Sequence, residues 1–203
     1  MSTPQDASRQ FLTTVSSWLV SLPHDLRILF EAKDEPNLDR VAREAAAGAI
    51  VFVLTPDKTA DADFVRFADD AILFRAVLQY VAKIGGEGAA DFRERFAEYY
   101  ATLDEDLAAC KSVMGDTFEW IVGKIPTLGK QVYKGKKLPM YIDDEAAAEE
   151  LYEDSLAFAT EYTIDEEKLG MRLKKVETLL EPLKRKAADD RKKLATITVT
   201  SPG

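Results

Sequence analysis

Apolar residues recur at a helical period along almost the whole chain, and this spacing limits the fold more than any motif does. Phe11, Val15, Trp18 and Leu22 fall at i, i+4, i+7 and i+11, one face of a first helix. Pro23 should break that pattern or sit in the first turn of a second helix over His24–Lys33. The DEPN stretch, Asp34–Asn37, reads as a turn. A helix from about Leu38 to Leu54 becomes apolar all round toward its end, AAAGAIVFVL, so that end should be buried. Phe67, Ala71, Phe74, Leu78 and Val81 step by 4, 3, 4 and 3, and Gly85-Gly86 ends the helix they define.

The second half continues in the same period. Phe92, Phe96, Tyr99, Leu103 and Leu107 share a face, and Thr102 with Glu105 has capping-box spacing. Val113–Val122 is a further short helix, and Gly123–Asp144, rich in Gly and Pro, is the least regular part. Asp143–Glu167 then holds eleven acids and no base, whereas Gly170–Lys193 holds nine bases and four acids. Leu169, Leu173, Val176, Leu180 and Leu183 form a coiled-coil-like seam, with Thr163 and Glu166 as a second capping box. Pro182 should kink this helix or restart it.

The fold class these patterns predict is all-α: a multi-helix bundle with a C-terminal antiparallel helical hairpin, one arm acidic and one basic. Two regions are expected, 1–86 and 87–196, packed as one domain or side by side, followed by a flexible tail over 197–203.

Composition bounds the function. The 203 residues carry a formal net charge of −9, which argues against a nucleic-acid partner for the surface as a whole. One cysteine, Cys110, and one histidine, His24, exclude an internal disulfide and leave too few ligands for a structural zinc site. They also remove most Cys/His and Ser/His catalytic schemes. The N-terminus lacks a basic-then-apolar leader pattern. The longest apolar run, Ala45–Leu54, is about half of the roughly 20 residues that a membrane-spanning helix needs. A cytoplasmic location, with no integral membrane segment, is the expectation.

Three motifs invite chemistry. GKIPTLGKQ, Gly123–Gln131, has five residues between its glycines where a phosphate-binding loop has four, and Gln131 stands where that loop has Ser or Thr. Lys124, Lys130, Lys134, Lys136 and Lys137 lie in one stretch with Tyr133 and Tyr141. They suit an anionic partner, or else they pair with the acidic helix downstream. Asp57, Asp61, Asp63, Asp69 and Asp70 cluster around one loop and one helix start. Asp57, Asp63, Asp69 and Asp70 are the candidate ligands for a hard cation, magnesium or calcium. The structural alternative is that Asp61 and Asp63 cap the helix while Asp69 and Asp70 favour its N-terminal end.

The first half, LPHDLRILFEA followed by AAAGAIVFVLTP, an aspartate-rich loop and FADDAILFRAVLQYV, resembles the YkvA-type domain, a bacterial domain of unknown function. That family's hallmark is a Pro-x-Asp and Pro-Asp loop ahead of an Asp-Asp pair that opens a helix. Pro56 matches the first proline and Asp69-Asp70 the pair, with Asp57 and Asp63 as approximate matches. The second proline and the glycine before the pair are absent, and the loop is shorter. The resemblance covers about residues 22–81. It implies a small helical protein, as some members with membrane segments also are, and no established activity.

The function expected from these features is a non-enzymatic helical adaptor or regulatory module. Its partner would be another protein or a second copy of the chain, with no cofactor. A metal-binding or metal-dependent protein using the acidic loop is the alternative, and peripheral membrane attachment through the lysine stretch is a third.

Overall fold

The computed structural model describes residues 4–55 and 67–199, with side chains over 6–55 and 67–193. It is an all-α multi-helix bundle. Helix α1 spans Pro4–Asp34, α2 Arg40–Leu54 and α3 Ala68–Ile84, and these three pack on one another as the centre of the molecule. Short helices α4 (Gly88–Arg95), α5 (Ala97–Tyr100), α6 (Leu103–Met114) and α7 (Asp116–Val122) follow, with α6 laid on α1 and α3. A 3-10 helix, Ile125–Lys130, crosses α2. The crossing needs Gly48, because a Cβ there would lie 2.6 Å from the Leu128 Cβ. The core runs without a break from Phe11 in α1 to Leu183 near the C-terminus, so residues on both sides of position 87 contribute to one interior.

Pro23 does not end the first helix. α1 continues through it for 31 residues. Proline lacks the N–H that would bond the carbonyl four residues back, Leu19 O. That carbonyl instead accepts from the Tyr162 hydroxyl at 2.7 Å, from the far end of the chain. A distant side chain thus replaces the donor that proline lacks. Tyr162→Phe deletes only that hydroxyl and is expected to cost about 1–2 kcal/mol of stability, read as a lower urea midpoint with an unchanged slope. An unchanged midpoint would show that the bond contributes nothing.

Helix α2 is buried over Ala45–Val51, as its all-round apolar end requires. Helix α3 stops at Gly85, with Gly86 at φ +68°, a left-handed position suited to glycine. The irregular stretch after the 3-10 helix holds a two-residue hairpin. β1 (Val132–Tyr133) pairs antiparallel with β2 (Lys136–Lys137), and Lys134 and Gly135 between them both have positive φ, the geometry of a primed turn. Helix α8 (Met140–Asp143) follows, and the buried Tyr141 donates to Tyr133 O at 2.6 Å. Arg40 of α2 grips this helix by a two-pronged contact with the Asp143 carboxylate.

The C-terminal helices depart from the hairpin expectation. The acidic arm is α9 (Glu145–Glu161), capped by Asp144, whose side chain accepts from Ala147 N at 2.8 Å. The basic arm divides into α10 (Glu166–Arg172) and α11 (Glu177–Val199). Asp165, not Thr163, caps α10 by accepting from Lys168 N at 3.0 Å. The chain restarts at Glu177, five residues before Pro182, which then sits inside α11. The apolar seam is still buried, with Leu169, Leu173, Leu180 and Leu183 in the core. The two arms find other main partners: α9 packs on α8, α1 and α2, and α11 on α7 and α3. The acids of α9 take their cations from the β-hairpin, Lys136 to Glu150 at 2.6 Å and Lys134 to Asp154 at 2.7 Å. This is the pairing of the lysine stretch with the downstream acidic helix that the sequence offered as its structural alternative, here for Lys134 and Lys136. Of the tail, 197–199 continues α11 and 200–203 lies outside the described residues.

Candidate functional site

The end of α2 (Val51–Leu54) with Thr55 after it, the start of α3, α7 with its following Lys124, the β1 strand, α9 and α11 converge on a cavity of about 720 Å³. That size is typical of a small-molecule site. Its aromatic wall is Phe52, Phe67, Trp120, Tyr133 and Phe158, drawn from five separate segments. Phe67 stands edge-on to Phe158 with ring centres 5.7 Å apart, so part of this wall is self-supporting.

Charges are placed within this wall in pairs. Asp69, in the first turn of α3, is 3% exposed and accepts from the Lys186 ammonium of α11 at 2.7 Å. Burial pushes its carboxyl up, against the opposing pull of the Lys186 and Lys124 charges. Asp70 is also buried and lines the same cavity. Lys124 bonds Asp190 of α11 at 2.9 Å, and its ammonium lies 4.2 Å from the centre of the Trp120 ring and 5.5 Å from that of Phe52. Asp154 of α9 accepts from the Tyr133 hydroxyl at 3.0 Å, and desolvation together with this bond raises the Tyr133 phenol. Glu161, Asp189 and Lys193 complete the charged rim.

The structure therefore brings Asp69 and Asp70 together in one wall, but Asp69 is held by an ammonium. Asp57 and Asp63, with Asp61, lie outside the described residues. Among the described residues no group of three or more His, Cys, Asp or Glu side chains is placed to hold a metal ion. The lysine stretch is spread rather than gathered. Lys124 faces the cavity, Lys134 and Lys136 are tied to α9, and Lys130 and Lys137 are exposed at the end of the 3-10 helix and in β2. Pairing with the downstream acids thus accounts for two of the five, and pairing with α11 for a third. No helix of the described residues is long and apolar enough to cross a membrane.

Two residues with catalytic potential lie elsewhere. Cys110 is fully buried in α6, and burial, helped by Asp106, pushes its thiol up to about 12, so it is a thiol and not a thiolate at neutral pH. His24 is exposed on α1. A smaller polar cavity between α1, α3 and α6 surrounds Arg75, which is buried against Asp25 and packs among Trp18, Phe74 and Tyr99.

The sequence offered no signal for Phe52, Phe67, Trp120, Phe158 or Lys186 as one site. Each sits at an ordinary core or surface position of its own helix, and only the packing of α7, α9 and α11 around the ends of α2 and α3 gathers them. No family model matches the chain, and neither a curated protein nor a solved structure matches it.

Proposed function

We propose that this protein is a non-enzymatic regulatory or adaptor module that takes up a small amphipathic ligand in the cavity between α2, α3, α7, α9 and α11. The observation that carries this reading is the composition of the wall: five aromatic rings beside charges that are already committed to one another, Lys186 to Asp69, Lys124 to Asp190 and Tyr133 to Asp154. Rings and fixed charges supply apolar contact and orientation, the two needs of a binding site. Paired charges are poorly placed to exchange protons with a substrate, which favours binding over general acid–base chemistry. Because the wall is built from six elements, a bound ligand would bear on how α11 and α9 sit against the α1–α3 core, which is the property a regulatory module requires.

A panel of small amphipathic molecules tested by ligand-observed NMR addresses this directly. Ala157 is an exposed α9 residue that lines the cavity, so Ala157→Tyr fills space without disturbing the core. Saturable binding to the wild-type protein that is lost in Ala157→Tyr supports the reading. Identical profiles for the two proteins would overturn it.

The divalent-cation alternative draws its support from the shared wall position of Asp69 and Asp70. A metal there would have to displace the Lys186 ammonium from Asp69. Magnesium or calcium at millimolar concentration is accordingly expected to leave the melting temperature unchanged. A rise that saturates with metal, as linkage demands of a ligand for the folded state, would favour the metal reading instead. For membrane attachment, Lys130 and Lys137 are the exposed lysines of the stretch that have no ion pair among the described residues, and two charges give little attraction to an anionic surface, about 1 kcal/mol each.

A further inference from the structure

We infer that the cavity selects an organic cation, a substituted ammonium carrying a short apolar chain. This rests on the binding reading above and specifies its ligand. The first observation is that the site already holds a cation of that kind. The Lys124 ammonium sits over the Trp120 face at 4.2 Å and near Phe52 at 5.5 Å, with Asp190 as its counter-ion at 2.9 Å. An ammonium flanked by ring faces and one carboxylate is the arrangement by which proteins recognise alkylated amines. Here the chain's own lysine occupies it.

The second observation is the sign of the charge. The described lining carries the carboxylates of Asp69, Asp70, Asp154, Glu161, Asp189 and Asp190 against the ammoniums of Lys124, Lys186 and Lys193. Carboxylates outnumber ammoniums two to one in the lining itself, and Lys134 and Lys192 beside it answer Asp154 and Asp189, so the negative charge that favours a positive guest over an anion rests on Glu161 at the rim. Glu161, at the rim, has no ion pair among the described residues. The third observation is the apolar share of the wall. Val51, Leu54, Phe67 and Phe158 offer surface that a bare inorganic cation cannot use but an alkyl chain can.

The guest therefore has a diffuse positive head set against Trp120 and Phe52, near Asp190, and an apolar body along Phe158 and Leu54. Its head competes with Lys124 for the same ring face. Removing that lysine with a side chain of similar length should consequently tighten binding rather than weaken it.

The test is calorimetric titration of the full chain at low ionic strength with three probes of equal chain length: hexyltrimethylammonium, hexanol and hexanoate. The ammonium is expected to bind tighter than hexanol by about threefold or more, the scale of a cation–ring contact, with hexanoate weakest. Lys124→Met is expected to tighten the ammonium by a similar factor and leave hexanol unchanged. Trp120→Leu is expected to remove the preference. If hexanol or hexanoate binds as well as the ammonium, the cation inference falls while the cavity remains a binding site. If none of the three binds to the wild type or to Lys124→Met, both readings fall. Weaker ammonium binding to Lys124→Met, with hexanol unaffected, would also overturn the inference, since Lys124 would then be helping the guest rather than competing with it.

Discussion

Asp25→Ala is expected to lower the unfolding free energy by about 3–5 kcal/mol, the cost of leaving a buried charge without its partner. Asp25 of α1 and Arg75 of α3 are 4% and 7% exposed and form a direct ion pair between two central helices. The guanidinium is enclosed by the rings of Phe74, Tyr99 and Trp18, with its carbon 4.9, 5.5 and 5.6 Å from their centres. Its Nε has no hydrogen-bond partner, so Asp25 and the Ser21 hydroxyl carry most of its satisfaction. Burial already pulls the Arg75 guanidinium below its usual range, with Asp25 opposing that pull. Arg75→Met alone should be destabilising for the mirror-image reason, although Ser21 still donates to the stranded carboxylate. Asp25→Leu with Arg75→Met should recover most of the loss, because two apolar side chains of similar volume remove both desolvation costs together. Urea denaturation of the four proteins measures this. Single variants within about 1 kcal/mol of wild type would mean that the pair is not buried as described.

The second large effect concerns the attachment of α11. Asp69→Ala removes a buried counter-ion from the Lys186 ammonium, whose side chain is 17% exposed against 4% for Asp69. Lys186 retains some access to water, so the expected cost is smaller, about 2–3 kcal/mol. Asp69→Asn keeps an acceptor within reach and should cost about half of that. What distinguishes this pair from Asp25–Arg75 is where the damage falls. Asp25 and Arg75 join α1 to α3, deep in the core, and their loss weakens the whole bundle. Asp69 and Lys186 join α3 to a helix that otherwise packs mainly on α7. Amide exchange in the Asp69→Ala protein should therefore accelerate in α11 well before it does in α2 or α3. Uniform acceleration across all three would show that α11 is not separately held.

The sequence was most informative where one helix carries its own argument. The apolar end of α2 and the 4-3-4-3 steps of α3 need no distant partner to be recognised, and both are buried as their spacing requires. It misled at Pro23, where the helix continues and Tyr162, 143 residues beyond Leu19, supplies the missing donor. Local rules cannot anticipate a bond of that span. The charge-segregated C-terminal segments pointed to two helices docked on each other, whereas α9 and α11 pack mainly on other elements; the pairing of the lysine stretch with the acidic helix holds for Lys134 and Lys136. The acidic pair Asp69-Asp70 was found from the sequence and does reach a cavity wall. Its partner Lys186, 117 residues away, and the aromatic wall around it depend on tertiary packing alone.

Trp120 offers the most direct test that this cavity takes a ligand. The chain has two tryptophans, and Trp18 lies in the other polar cluster beside Arg75. Trp18→Phe therefore leaves Trp120 as the single indole, inside the cavity wall. Titrating that variant with hexyltrimethylammonium and with hexanol, the account predicts a saturable change in Trp120 emission that Ala157→Tyr abolishes. Emission indifferent to both probes, in a protein that melts at its normal temperature, would contradict it.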